Sequence, residues 1–489
     1  MNHIWYAAAG LAPLPPLPFD LNALDQFGLR DYQRRIIYQV VLRWLEGYRR
    51  ILIQLPTGGG KTVIASALHG SSAVLGHPSQ FLVHRKELID QTSRTLARAG
   101  IEHGLVASGE VMDFDAMVIV AGIQTLVNRL DLVRRPLVVL VDEAHHGTST
   151  TYQRVLDSYP PDTLILGLTA SPQRLDGRGL DEQFEVMVLG PTPAELIAAG
   201  HLCRYEFYGP DAPDLSEVGD VGGEYNRKGA AAVMERQAII GNIVAHYLEL
   251  APGKQGIGFA VSREHSRKMV EAFRASGVRA AHLDGDTPKD ERRAVDAAYR
   301  RGEIDMLWNV DLFGEGYDVP GAVYLADAAP TKSLVKVLQR WGRVLRPAPG
   351  KECGIIADHA GNHTRHGLPD TEREWSLAGR DRKTRGSPSD AVGTRTCLVC
   401  YRISESGTQV CPGCDTPFPA QDRTVEEREG KLTKIEKEML AKKNAALRKA
   451  EERACKSEAE LVALAQARGY QNPVGWARMR MKFRNNWRG

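Results

Sequence analysis

From about residue 29 to residue 358, short runs of apolar residues are separated by longer amphipathic stretches. In the front half the runs are 51–53, 81–83, 117–120, 137–141 and 164–168. Each is near-continuous in apolar residues, as a strand covered by helices on both faces requires; a half-exposed strand would alternate. The intervening stretches place apolar residues at helical spacing, and Ile36, Ile37, Val40 and Val41 behind Leu29-Arg30-Asp31-Tyr32-Gln33 form one clear set. The alternation repeats in the second half, with runs at 256–261, 280–283, 305–310, 323–326 and 353–357. Strands alternating with helices predict doubly wound α/β domains, here two in tandem. Beyond Asp358 the strand signals stop. Residues 366–395 are polar, basic and punctuated by Gly and Pro, which reads as a linker. Residues 425–467, rich in Ala, Leu, Glu and Lys without proline, read as helix.

Composition narrows the class. A chain of 489 residues, 43% apolar and 25% charged, is ordinary for a soluble protein of two or three domains. No apolar run approaches the roughly 18 residues of a membrane span, so no membrane partner is expected. The first residues are proline-rich, lack a basic secretory n-region and read as a loose leader. Seven cysteines, four of them in two CxxC pairs, point to a reducing, cytoplasmic setting and a metal rather than disulfides. Net charge is only +3, but its distribution is uneven. From residue 421 onward 17 Lys/Arg face 10 Asp/Glu, so the tail carries about +7 and the rest about −4.

The chemistry begins at Leu55-Pro56-Thr57-Gly58-Gly59-Gly60-Lys61-Thr62, between a strand and a helix. In that context Gly58, Gly59 and Gly60 let backbone N–H groups face phosphate oxygens, and the following helix adds the positive end of its dipole. Lys61 would reach the β- and γ-phosphates and Thr62 would hold Mg2+. The string is PTGGGKT, so the first glycine of the general GxxxxGK[ST] pattern is missing. Asp142 and Glu143 close the run 137–141; adjacent carboxylates at a strand's carboxyl end fit a Mg2+ ligand and a group that orients and deprotonates water. Gln33, shortly upstream, can both donate to and accept from an adenine edge. Thr169 and Ser171 end the run 164–168, where a cap or turn is the simpler explanation. No phosphate loop recurs in the second half. Cys397, Cys400, Cys411 and Cys414 have the spacing of a four-thiolate Zn2+ site, closed to water and therefore structural. No acid follows Glu460, and Trp476 is followed by Arg478, Arg480, Lys482, Arg484, Trp487 and Arg488, basic residues interleaved with aromatics. That pattern suits a nucleic-acid backbone with stacked bases, or equally a small helical cap with tryptophans inside.

Leu29-Arg30-Asp31-Tyr32-Gln33, PTGGGKT, Val141-Asp142-Glu143-Ala144-His145 and Leu168-Thr169-Ala170-Ser171-Pro172 together resemble the first motor domain of superfamily 2 helicases, in order and spacing. In the second half Gly314-Glu315-Gly316-Tyr317-Asp318 and the string from Gln339 to Arg346 are similar to helicase motifs five and six. The resemblance implies α/β architecture with two tandem RecA-like domains with parallel sheets, then a small four-cysteine zinc module and a helical basic C-terminal tail. It implies boundaries at 28–208 for the ATP-binding domain, 209–235 for a linker, 236–365 for the second motor domain, 366–395 for a basic linker, 396–418 for the zinc module and 419–489 for the tail. It implies MgATP in a split site, with Thr57 among its loop contacts, Arg343 and Arg346 as arginine fingers, Gln339 at the nucleotide or its water, and Asp318 on the ribose side. It implies nucleic-acid contacts from Arg85, Gln124, Thr125, Ser262, Arg263 and His282. The zinc knuckles, Asp358-His359-Ala360-Gly361-Asn362 and the GY…GWA…K/R-F ending resemble the bacterial and phage RadD-like repair helicases. That branch implies DNA, single-stranded, forked or branched, as substrate, and a single-strand-binding or recombination protein as a candidate partner. An RNA helicase and an ATP-gated clamp remain the alternatives, since they use the same motifs.

Overall fold

The computed structural model describes residues 17–84, 86–147, 149–174, 178–209, 213–313, 321–378, 393–397, 399–405 and 407–418, with 455, 457–467, 474, 477 and 478 of the tail. Two compact units divide the chain, Met1–Pro419 and Ala420–Gly489. In the second, the helix Glu458–Ala467 buries Leu461 and Ala465, one turn apart. The rest of the helix expected over 425–467, and most of the basic ending, lie outside the described residues.

The first unit holds two parallel sheets. Strands β1 Arg50–Gln54, β2 Ser79–Val83, β3 Gly104–Val106, β4 Val118–Gly122, β5 Val138–Asp142, β6 Leu164–Thr169 and β7 Val186–Leu189 form the first, in the order β3-β4-β2-β5-β6-β1-β7. The central strands are the apolar runs read from sequence. Their side chains are buried on both faces, as in β6, where all six residues are buried. The edge strands β3 and β7 were not legible as runs, since an edge needs only a few apolar residues.

The second sheet uses β8 Arg204–Tyr208, β11 Gly256–Ala260, β12 Ala280–Leu283, β13 Met306–Asn309, β14 Tyr324–Ala328 and β15 Cys353–Asp358, in the order β12-β13-β11-β14-β15-β8. Here the expected boundary at 208 requires correction: β8 pairs with β15, Arg204 opposite Cys353, and belongs to the second sheet. The chain therefore crosses between domains at Leu202–Cys203. Residues 209–235 are likewise more than a linker. They contain a ribbon, β9 Asp220–Val221 with β10 Glu224–Tyr225, and the helix Arg227–Met234.

Two further stretches expected to be loose are packed. Phe19 and Leu24 of the leader are fully buried, and Ser71 Oγ and Ser72 Oγ donate to the carbonyls of Asp20 and Pro18. Gly70 is glycine because a Cβ there would sit 2.3 Å from the Phe27 ring. Residues 368–377 run back from the second domain to the first, where the Leu377 carbonyl accepts from Leu180 N–H at 2.7 Å and Asp181 N–H at 3.2 Å. The Arg373 guanidinium stiffens this strap by donating to the carbonyls of His366, Leu368 and Thr371 at 2.7–2.9 Å.

Inside the second domain, Asp327 on β14 is fully buried. It accepts from Arg340 Nη1 at 3.1 Å, Trp341 Nε1 at 3.0 Å and Asn362 Nδ2 at 3.0 Å. Arg340 is thus a core residue.

Several buried histidines carry no compensating charge strong enough to keep them protonated. Burial pulls His69 and His359 down to about 3, and His265 and His366 to about 4, from 6.5. These groups stay neutral in the fold while the unfolded chain takes up protons below pH 6.5, so the unfolded state binds more protons and stability is lost as pH falls. We expect stability contributed by these sites to be level above pH 6.5 and to drop progressively toward pH 4, each unit of separation being about 1.4 kcal/mol. Chemical denaturation across that window measures it; a flat profile contradicts the assignment.

Candidate nucleotide site and zinc centre

The phosphate loop leaves β1 and enters the helix Lys61–Val74 through Gly60. Gly58 and Gly60 have φ of 85° and 83°, the left-handed region that glycine adopts without strain. A Cβ at Gly60 would lie 2.4 Å from Gln33 Nε2, and one at Gly59 2.7 Å from Leu55. The loop is held from behind. Tyr32 donates its hydroxyl to Gly59 O at 2.7 Å, and Gln33 Nε2 lies 3.4 Å from the carbonyls of Gly59 and Gly60. Gln33 Oε1 accepts from Arg30 N–H at 2.9 Å. Both faces of the amide are therefore used in this state, and Gln33 braces the loop. Lys61 Nζ rests 3.4 Å from Leu55 O. The cradle, an ammonium and the open first turn of a helix together fit a nucleotide's phosphates.

Asp142, at the end of β5, is half-buried and its Oδ1 accepts from the Glu143 N–H at 3.0 Å. Glu143 has φ of 45° and is buried, with Oε2 3.6 Å from His145 Nδ1. Such a backbone is costly for a non-glycine residue and turns the carboxylate off the strand direction. His145 Nδ1 lies 3.3 Å from Thr169 Oγ1, which in turn donates to Ser171 O at 2.9 Å. The hydroxyl string treated as a turn in the sequence is thus wired to the acidic pair. The signal that could have found it is the co-occurrence of both at neighbouring strand ends, β5 and β6.

Across the cleft stands the helix Leu334–Trp341 and the turn after it. Its approach is close: a Cβ on Gly342 would lie 2.6 Å from both Cβ and Cγ2 of Thr57, and one on Gly58 would lie 3.6 Å from Arg346 Cγ. Gln339 and Arg343 are buried, while Arg346 is half-exposed. The Arg346 carbonyl accepts from Lys351 Nζ at 2.9 Å and the Cys203 thiol at 3.4 Å, fixing the backbone beneath the guanidinium. Burial draws Lys351 down to about 8. Asp318, like Arg85, lies outside the described residues.

The candidate nucleic-acid residues do not fare alike. Gln124 and Thr125 sit in the short helix Ile123–Leu126, Gln124 exposed and Thr125 half-buried. Ser262 caps the helix Arg263–Ala275 and donates to Glu235 at 3.0 Å. Arg263 pairs with Asp284 at 3.3 Å and with Asp286. His282 is turned inward, bonded to Ser266 Oγ at 2.6 Å and Asp284 Oδ2 at 3.1 Å. Its geometry is that of a positioning group for Asp284, because both ring nitrogens are already engaged.

The four cysteine sulfurs lie within 4.8 Å of one another, the one such metal-competent group among the described residues. Tetrahedral Zn2+ at about 2.3 Å from each sulfur sets the sulfurs roughly 3.8 Å apart; the Cys397–Cys414 and Cys400–Cys411 separations are 3.6 and 3.5 Å. The two halves are built alike. Tyr401 N–H donates to Cys397 O and Asp415 N–H to Cys411 O, both at 2.9 Å, and Tyr401 and Asp415 have φ of 58° and 56°. Thr416, its hydroxyl 3.1 Å from the sulfur, pulls the Cys414 thiol down to about 6. The module closes the exposed edge of β8: Tyr208 bridges Arg402, Arg402 pairs with Glu206 at 3.1 Å, and buried Ile403 sits where a Cβ on Gly209 would clash at 2.3 Å.

Comparison with known proteins agrees with this geometry. A family model described as the type III restriction enzyme res subunit matches residues 26–174, and one described as the helicase conserved C-terminal domain matches 238–348. A 51.5 kDa protein of a Lactococcus phage (isolate 7-9) is 32% identical over 393 residues, 80% of this chain and 83% of that protein. The putative ATP-dependent helicase IRC3 of Saccharomyces cerevisiae is 31% identical over 353 residues, 67% of this chain and 51% of that relative's length. The fragment structure of a putative HsdR subunit of a type I restriction enzyme from Vibrio vulnificus shares the fold, with a TM-score of 0.55 and 21% identity over 70% of this chain and 67% of that one. Two tandem RecA-like domains, with a phosphate loop on the first and the turn at Gly342 of the second beside it, have the architecture of a nucleotide-driven motor. The chain belongs to the superfamily 2 helicases, ATP-dependent enzymes that work on nucleic acid.

Two outcomes are expected. Gly342→Ala should leave nucleotide binding intact but lower turnover by about 10²-fold, because the added methyl wedges the cleft by a fraction of an ångström or more; equilibrium binding beside steady-state hydrolysis separates the two. The purified protein should carry about one zinc per chain and Cys411→Ser should lose it, measured by metal analysis.

Proposed function

We propose that the protein is an ATP-dependent DNA translocase or helicase acting on repair or recombination intermediates. The observation that carries the reading is the contact of Gly342 with Thr57, beside Arg346 and Gly58. It brings the second domain's arginines to the rim of the first domain's phosphate cradle. In this reading Lys61 and the backbone of Gly58–Gly60 hold the phosphates, Thr62 and Asp142 hold Mg2+, and Glu143 orients the attacking water and takes its proton. The strained turn at Glu143 and its nearness to His145 support that role, since both fix the carboxylate's direction. Arg343 and Arg346 would meet charge that develops on the γ-phosphoryl group, with Gln339 beside them. Asp318 is assigned to the ribose side on the family motif alone.

Coupling follows from the split site. The arginines gain contact only while a triphosphate is present, so its loss removes the differential interaction that favours a shut cleft. A strand held across both domains then experiences alternating grip. The choice of DNA rests on the RadD-like final third and on the restriction-enzyme description of the family matched by the front half. The zinc module would extend the bound surface, and a single-strand-binding or recombination protein is the proposed partner class.

An ATPase titration with single-stranded DNA, duplex, forked DNA and RNA tests the reading, with Lys61→Ala as the blank. DNA should stimulate hydrolysis, and Arg343→Ala should reduce it by roughly 10³–10⁵-fold. Stimulation by RNA alone overturns the DNA assignment. Stimulated hydrolysis without strand displacement identifies a translocase or clamp instead of an unwinding enzyme.

A further inference from the structure

The helix Arg227–Met234 was not anticipated as an element and corresponds to none of the motifs discussed above. It shares a groove with Ser262, Asp284 and Asp311, which follow β11, β12 and β13 at the sheet's carboxyl end, where open parallel sheets present their ligand sites. One helix face, Arg227, Lys228 and Ala231, lines a groove whose opposite side is Ser262, Arg263 and Arg292. Without this helix the strand ends would form a flat shelf; with it they form a channel with two walls.

The helix is tied down at both ends. At its start Arg227 pairs with Asp311, which has φ of 52° directly after β13. Just past its other end Glu235 accepts from Ser262 Oγ at 3.0 Å and from Lys268 Nζ at 2.6 Å. Arg263 on the facing wall is held in the same manner, by Asp284 and Asp286. Lys228 is exposed and makes no ion pair among the described residues. Of the groove's four cations, Arg227 and Arg263 are covered by carboxylates and Arg292 donates to the carbonyls of Asp284 and Gly285. Exposed pairs of this kind contribute little to stability, so another anion can exchange into them readily.

We propose that this helix is a second wall of the nucleic-acid channel and that the Arg227–Asp311 pair is its latch. Phosphates of a bound strand take over Arg227 and Lys228, and Asp311 is released. The inference rests on the motor reading above, adding two contacts that the family motifs do not supply. It also explains the acidic residues on a surface meant for a polyanion. They hold the cationic side chains in place until a denser run of negative charge arrives.

The test is the salt dependence of binding to an oligothymidylate strand, with melting temperature as the folding control. Each phosphate contact contributes about 0.7 to the slope of log K against log salt on single strands. Arg227→Ala with Lys228→Ala should therefore flatten the slope by about 1.4, and Arg227→Lys should restore half of that loss when paired with Lys228→Ala. Asp311→Asn should tighten binding several-fold, since Arg227 no longer has a carboxylate to leave. If Arg227→Ala unfolds the domain, Lys228→Ala alone, at an exposed site, still reports its share of the slope. An unchanged slope in these variants, with the wild type binding normally, overturns the second wall. Absence of wild-type binding to any nucleic acid defeats the motor reading itself, and this inference with it.

Discussion

The close approach of the turn at Gly342 to Thr57 governs the rest of the molecule. A phosphate loop by itself binds nucleotide; it becomes half of a motor only when a second body brings positive charge to the same phosphates. That reach leaves no room for a side-chain carbon at Gly342, where it would meet Thr57, while at Gly58 the crowding comes from Leu202 at 2.7 Å. Much of the architecture serves to keep the two surfaces accurate. On one side Tyr32 and Gln33 brace the loop through its own carbonyls. On the other, Asp327 gathers Arg340, Trp341 and Asn362 into a single buried network.

That network illustrates how one sequence string divides its labour. Gln339-Arg340-Trp341-Gly342-Arg343 spans about a turn and a half, so successive residues step about 100° around the axis and no one face takes them all. Arg340 and Trp341 point into the domain and anchor the helix to β14. A buried ion pair of this sort adds little net stability over an apolar replacement, but removing one partner strands a charge and costs several kcal/mol. Its value is geometric: it fixes the rotation of the helix about its own axis, and hence the direction of the neighbouring arginines. Asn362 belongs to the same network, which gives the DHAGN string a physical role at the far side of β14.

The central strands were legible because parallel strands buried on both faces must be continuously apolar. The phosphate-loop turn and the four clustered cysteines were legible because phosphate and metal chemistry dictate residue type at fixed spacing. What could not be read was pairing between distant segments. β8 looks like the last strand of the first domain until its partner β15 is known. Arg340 looks like one more surface arginine until Asp327, in an otherwise apolar strand, is placed beside it. His282 and Arg263 look like free donors until Asp284 engages both. Residues 368–377 look like linker, because a strap that satisfies its own carbonyls through Arg373 needs few apolar residues to hold its course.

The strap has a mechanical meaning. The chain passes between the domains at Leu202–Cys203, and residues 368–377 return to touch the first domain at Leu180. Two rigid bodies joined at one point can swivel in any direction; joined at two, they turn freely only about the line through both. The cleft therefore behaves as a door and not as a ball joint. Its swing is steered along one arc, and that arc ends where the arginine-bearing turn meets the loop.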